Sequence, residues 1–394
     1  MKLFLKNLLL FLLPVSVFFA PAFAVLWGTG EFYSLERIGA LARTPRPVLA
    51  GAAYSNFQTQ YQLLETKTRT PSVLALGNSH VNEFRAAFFK EPAAFYNAAH
   101  AVVALSDFTH FIGALDTQPK IIIVAMSPSY FNPDNTKVNL IKRPNPFASP
   151  IAPHDPMLES FFRNGGWWKL YVDFYYGKFT FEQVFETNSS VSTIGLRSVA
   201  EKYGFTNDGS DYYGDVIHSA SSQASIREEI ENLAKNISET RGYLDRTTFT
   251  PYGSTLSEHA LKELKTFLHT SKEKNIFVIG YVPPIAQAGY DRMEQYSDAP
   301  YAYAFKQLAP TLQEIYREYG FAFYDFTSPA SFGGSDGEML DAGIHFSEKA
   351  DLRMLIRMAK GTPQLRQFVD VPYLEKSLAN AKSPFVVFDI LDLH

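Results

Sequence analysis

The run Lys120-Ile121-Ile122-Ile123-Val124-Ala125-Met126 constrains this chain more than any other feature. It is apolar without a polar alternation and rich in β-branched residues. That pattern suits a strand buried on both faces. Strands of this kind belong to parallel sheets, because each crossover lays a helix over one face. Shorter runs of the same character recur at Ser72-Val73-Leu74-Ala75-Leu76, Phe95-Tyr96-Asn97, Ile276-Phe277-Val278-Ile279 and Phe321-Ala322-Phe323-Tyr324. Helical periodicity lies between them. Val81, Phe84, Phe88 and Phe89 share one helical face at i, i+3, i+7 and i+8. Further helices are predicted through Leu105, Phe108, Phe111 and Ile112, and near 256–272 and 300–318. A last one starts at Ser347, an N-cap with Glu348 and Asp351 in its first turn. The expected fold is α/β, a parallel sheet with helices on both faces.

The alternation breaks over 132–250, which holds an aromatic stretch (Phe161, Phe162, Trp167, Trp168, Tyr171, Phe174, Tyr175, Tyr176) and an acidic helix around Ile226–Ile237. The expected organisation is therefore a leader over 1–30, a polar, partly helical connector over 31–70, an α/β domain from 71–131 and 251–362, an aromatic-rich helical insertion or lid over 132–250, and a C-terminal extension over 363–394. The aromatic cluster reads either as a satellite core or as a lid or membrane-facing platform.

Lys2 and Lys6 precede an uncharged stretch from Asn7 to Gly30. A charged start followed by an apolar run marks export. Ala22-Phe23-Ala24 offers a small-x-small cleavage site. Apolarity continues through Trp27, and about 20 apolar residues span a bilayer. Two outcomes stay open. One is a single-pass anchor through 7–27 in a bacterial cytoplasmic (inner) membrane, with the remainder on the periplasmic or extracellular side. The other is a secreted protein cleaved after Ala24. The 36 basic residues against 40 acidic ones give a net charge of −4, which argues against a nucleic-acid partner. There is no cysteine, hence no disulfide and no thiolate chemistry. No zinc, calcium or phosphate-loop motif occurs, so no metal or other cofactor is expected.

In open parallel sheets, ligands bind beyond the carboxyl ends of the strands. Gly77-Asn78-Ser79-His80, Asn97-Ala98-Ala99-His100 and Ser127-Pro128-Ser129-Tyr130 all fall at such ends. Gly77 permits a tight turn, and Ser79 sits where free N–H groups favour a developing negative charge. A serine needs a base, most often histidine, to become a useful nucleophile. His345 is the best-placed candidate, and Asp341 is placed to hold its other nitrogen, with Asp336 as the fallback. His80 and His100 are candidates to line the cleft. Asn78, Asn97, Ser127 and Ser129 are candidates for oxyanion or substrate contacts, with Asn132 and the Ser79 N–H as further oxyanion donors.

Leu76-Gly77-Asn78-Ser79 resembles the Gly-Asp-Ser block of the SGNH (GDSL-type) hydrolases, with Asn78 in place of the usual Asp. Asp341 to His345, followed by Ser347 to Ala350, resembles that family's C-terminal Asp-x-x-His block with one extra residue. The likeness spans roughly 72–130 and 275–360. It implies a flavodoxin-like three-layer α/β/α sandwich, with Ser79 as nucleophile, His345 as base and an acidic partner. Ser127-Pro128-Ser129-Tyr130-Phe131 and Val282-Pro283-Pro284 are similar to segments of the membrane-anchored SGNH-like protein of D-alanyl-lipoteichoic acid synthesis. The alginate and peptidoglycan O-acetylation proteins share this plan. The resemblance implies an extracytoplasmic esterase or O-acyltransferase acting on an acylated glycan or other cell-envelope polymer, beside a membrane-bound O-acyltransferase partner. The alternative is a non-catalytic scaffold of the same fold.

Overall fold

The structure is a computed structural model and describes residues 1–54, 58–132, 161, 165–186, 190–239, 255–296, 300–341 and 344–388. Phe162, much of the 132–250 insertion, Ala342 and Gly343 lie outside the described residues. The strands are β1 Val48–Ala50, β2 Val73–Leu76, β3 Phe95–Ala98, β4 Ile121–Ala125, β5 Ser192–Ile194, β6 Tyr203–Phe205, β7 Asp211–Tyr213, β8 Phe277–Val282 and β9 Ala322–Asp325.

Five of them form one sheet in the order β3-β2-β4-β8-β9, and every pairing in it is parallel. Strand pleating sends alternate residues to opposite faces. Leu74, Leu76, Ile122, Val124, Val278 and Val282 meet the Leu105–Ala114, Glu258–Glu273 and Pro300–Tyr319 helices on one side. Val73, Ala75, Ile121, Ile123, Ile279 and Tyr281 meet the Glu348–Gly361 and Val371–Asn380 helices on the other. This is a three-layer α/β/α sandwich with the flavodoxin-like strand order. The chain moves from β2 outward to β3, then returns past β2 to β4. The carboxyl ends of β2 and β4 therefore flank the topological switch point, the ligand crevice of such sheets.

The segment after Ser79 departs from expectation. In place of the helix carrying Val81, Phe84, Phe88 and Phe89 there are short 3-10 turns at Ser79–Val81, Ala86–Phe88 and Pro92–Ala94. The four apolar residues are buried as the periodicity implied. The polar residues between them, Asn82, Glu83 and Arg85, are also 3% exposed or less. A segment enclosed on all sides has no solvent face for an amphipathic helix to present. Asn97 fills the gap by donating Nδ2–H to the carbonyls of Val81 at 2.6 Å and Phe84 at 2.9 Å.

The connector and the insertion also differ from expectation. Residues 31–70 contribute two helices and β1, and the insertion contributes β5, β6 and β7 as well as its helices. These strands form a second, mixed sheet in the order β5-β1-β6-β7. Each is three residues long, too short for a period to stand out. Ser347 takes the N-cap position of the last long helix, but its side chain makes no capping bond there.

The N-terminal helix α1 runs unbroken from Lys2 to Gly28 with Pro14 and Pro21 inside it. Its Leu10–Gly28 stretch is long and apolar enough to cross a membrane. Ala22, Val25 and Leu26 are buried against Phe161, Leu170, Phe179 and Val184 of the insertion. Trp168, Phe174, Tyr175, Tyr176, Phe181 and Phe185 lie exposed on the same part of the molecule's insertion.

Candidate active site

Ser79 opens the turn that follows β2, and His345 lies just before the Glu348–Gly361 helix. The Ser79 Oγ stands 2.6 Å from His345 Nε2, although 266 residues separate them in sequence. On the far side of the ring, Nδ1 hydrogen-bonds the Asp341 carboxylate. The other carboxylate oxygen accepts the His345 backbone N–H at 3.1 Å. Asp341 thus reaches the imidazole despite the four-residue spacing, one carboxylate oxygen on the backbone N–H and the other on the ring.

Asp336 is elsewhere. Its carboxylate accepts the N–H groups of Gln287 at 2.5 Å and Ala288 at 3.0 Å, at the start of the Gln287–Gln295 helix. It satisfies donors that a helix start leaves open.

The turn under Ser79 is fixed from several directions. The Asn78 side chain accepts the His80 N–H at 3.1 Å. The Tyr281 hydroxyl donates to the His80 carbonyl at 2.6 Å from β8. Asn82 donates to Asp211 and to the Tyr213 hydroxyl, both at 2.8 Å. Arg85 pairs with the Glu83 carboxylate, hydrogen-bonds Ser210, and lies 3.6 Å from Glu348. Burial pushes the Glu83 and Glu348 carboxyls up, against the pull of Arg85.

A cleft of about 260 Å³ opens at this place. Asn78, Ser79, Ser127, Ser129 and His345 line it, as do His80 and His100. The Ser127 and Ser129 hydroxyls hydrogen-bond each other at 2.9 Å. Two of the expected contacts fall outside the cleft lining. Asn97 is fully buried beneath the turn with its amide nitrogen committed to backbone carbonyls. Gly77 sits under Val81, whose side chain would come within 3.1 Å of an added Cβ. Both shape the turn that presents Ser79. Asn132 is buried and also absent from the cleft lining.

His80 lies next to the dyad, its ring centroid 5.5 Å from that of His345. Burial, reinforced by the neighbouring His345, holds its imidazole down at about 3. It is therefore neutral near pH 7 and adds no charge beside Ser79 and His345.

Sequence reasoning missed a second histidine–carboxylate pair. His100 Nε2 lies 3.0 Å from the Asp211 carboxylate. His100 carries a strand-end signal, since it follows β3. Asp211 has none, because nothing local ties a three-residue strand in the insertion to this crevice.

No model of a known protein family matches the chain, and no curated protein matches it significantly.

Proposed function

We propose that this protein is a membrane-anchored serine esterase or O-acyltransferase of the SGNH-like type, acting outside the cytoplasm on an acylated cell-envelope glycan or polymer. The observation that carries this reading is the Ser79–His345–Asp341 relay, with Oγ facing Nε2 and the carboxylate on Nδ1. Asp341 sets the tautomer that leaves Nε2 ready to accept the serine proton. Ser79 Oγ attacks the acyl carbonyl, and His345 takes its proton and then passes it to the departing alcohol. The acyl-serine then yields to water or to a second hydroxyl, with His345 again moving the proton.

The Ser79 N–H opens a turn, where no preceding helical carbonyl claims it. With the Asn78 amide and the Ser127–Ser129 hydroxyl pair it forms the donor set for the oxyanion. One such donor is typically worth about 2.7–4 kcal/mol in the transition state.

Anchoring is supported by the way α1 enters the domain. Cleavage after Ala24 would remove Ala22 from a buried cluster. The exposed aromatic residues of the Gly166–Tyr175 and Phe181–Phe185 helices lie beside α1, as residues of a bilayer interface do. The domain that carries the cleft is then tethered to the membrane, where lipid-linked or membrane-handled acyl donors and a membrane-bound acyltransferase partner are found.

A fluorophosphonate probe tests the reading. It is expected to label the full-length protein in detergent, to label Ser79→Ala not at all, and to label His345→Ala at least 10²-fold more slowly. A folded protein whose Ser79 stays unlabelled would instead favour a non-catalytic scaffold.

A further inference from the structure

The cleft that holds Ser79 is lined by three imidazoles, and one of them, besides His80 and His345, has a hydrogen-bonding role imposed by the fold. His100 lines this cleft together with Ser79 and His345. Its backbone is left-handed, with φ of 57°, a conformation that non-glycine residues adopt only when the surroundings enforce it. The surroundings are visible. The Phe205 ring meets the imidazole edge to face at 6.1 Å. The His100 carbonyl accepts the Thr59 hydroxyl at 3.4 Å. Nε2 points at Asp211 Oδ2, 3.0 Å away.

Asp211 is 1% exposed, and the same oxygen accepts from Asn82 Nδ2 at 2.8 Å and the Tyr203 hydroxyl at 2.9 Å. A carboxylate so loaded with donors acts as an acceptor, so Nε2 carries the proton. In the neutral imidazole Nδ1 is then a lone-pair acceptor. The ring can take a hydrogen bond from a hydroxyl. It cannot take one from a phosphate or carboxylate, which offers no proton. The buried carboxylate behind the ring further disfavours an anion. The described residues that line the cleft include no lysine, arginine or carboxylate. Val102 and Val103 add apolar wall, and Gln58, Thr59, Ser127 and Ser129 add neutral polar groups.

We infer that the cleft is a subsite for an uncharged, polyhydroxylated acyl carrier, a neutral sugar unit, and that His100 binds one of its hydroxyls through Nδ1. The inference rests on the serine-esterase reading and adds the substrate class. It separates neutral glycans from anionic polymers such as uronates and phosphodiesters. His100 is a binding residue here; proton transfer stays with His345.

The test is protection of Ser79 from a fluorophosphonate in the full-length, detergent-solubilised protein, with cellotriose as the neutral probe and trigalacturonic acid as the anionic one. Cellotriose is expected to slow labelling of the wild type, and trigalacturonic acid to leave it unchanged. In His100→Asn, a residue that accepts left-handed backbone, protection is read as the ratio of labelling with sugar to labelling without it, so that a change in the unprotected rate cancels. The cellotriose concentration needed for protection should rise about tenfold or more, the size expected for one lost hydrogen bond in a desolvated site. His100→Gln, which keeps a longer side-chain acceptor, should recover part of the protection, and it serves as the reporter if His100→Asn does not fold. Protection by the acid in place of the neutral sugar, protection by neither, or equal protection in wild type and variants overturns the inference while leaving the esterase reading intact. A labelling rate that collapses in both variants assigns His100 a structural role and overturns it also. A wild-type Ser79 that never labels removes the esterase reading itself, and the inference falls with it.

Discussion

Ser79 is ordinary as a residue, and its proposed chemistry comes from what surrounds it. His345 supplies the base, and Asp341 supplies the tautomer. Asp341→Asn is expected to keep the fold and to slow fluorophosphonate labelling by about 10²-fold or more, since an amide no longer selects the proton on Nδ1. Labelling at the wild-type rate would show that Asp341 is dispensable. His80 makes a different prediction. Its folded pKa, about 3, lies below the usual value of 6.5. The unfolded chain therefore takes up a proton first as pH falls, and the folded state loses stability through the window from 6.5 down to 3. The loss approaches about 1.4 kcal/mol per pH unit inside that window. Urea denaturation of wild type and His80→Gln should give a constant stability difference above pH 7. Below it, the wild type should lose ground to the variant. Parallel curves down to pH 4 would contradict the assignment.

At the scale of the element, the turn after β2 carries the most consequence. Asn97 reaches up from β3 to hold the carbonyls of Val81, Asn82 and Phe84. Asn97→Ala takes the side-chain donor from the buried Phe84 carbonyl and leaves those of Val81 and Asn82 with only their backbone donors, at a cost of about 1–3 kcal/mol. A lowered urea midpoint together with slower Ser79 labelling is expected, because the same turn presents the serine. The Gln287–Gln295 helix offers a contrasting control. Asp336→Ala removes the acceptor at its first N–H groups and should cost about 0.5–2 kcal/mol, as a lost cap does. Labelling of Ser79 should not change. A labelling loss on the scale of Asp341→Asn would make Asp336 the true acidic partner. The strands of the large sheet were legible in advance because two-sided burial leaves long apolar runs. Ser79, His345 and Asp341 were legible as strand-end and loop residues. The apolar spacing of the Val81–Phe89 segment predicts a helix that does not form, because its polar residues are buried too. Periodicity reports which residues are apolar, and says nothing of a polar residue that finds a buried partner.

At the scale of the molecule, the domain and its N-terminal helix share a core. Ala22, Val25 and Leu26 of α1 are 2% exposed or less, while Leu3, Phe11 and Val17 lie open. One end of the helix is built into the protein, and the remainder is apolar and exposed. Removing residues 1–28 is expected to expose Phe161, Leu170, Phe179 and Val184 and to yield aggregated protein by size-exclusion chromatography. A monodisperse, fully folded truncation would show that α1 is a detachable leader. From sequence alone came the sheet, its helical cover and the position of Ser79 at a strand end, because burial of apolar runs is a local property written in composition and spacing. Only the tertiary structure brought His345 to Ser79 across 266 residues, and Asp211 from a small second sheet to His100. Those meetings depend on how distant loops converge over one edge of the sheet, and no local pattern encodes the distance between two loops.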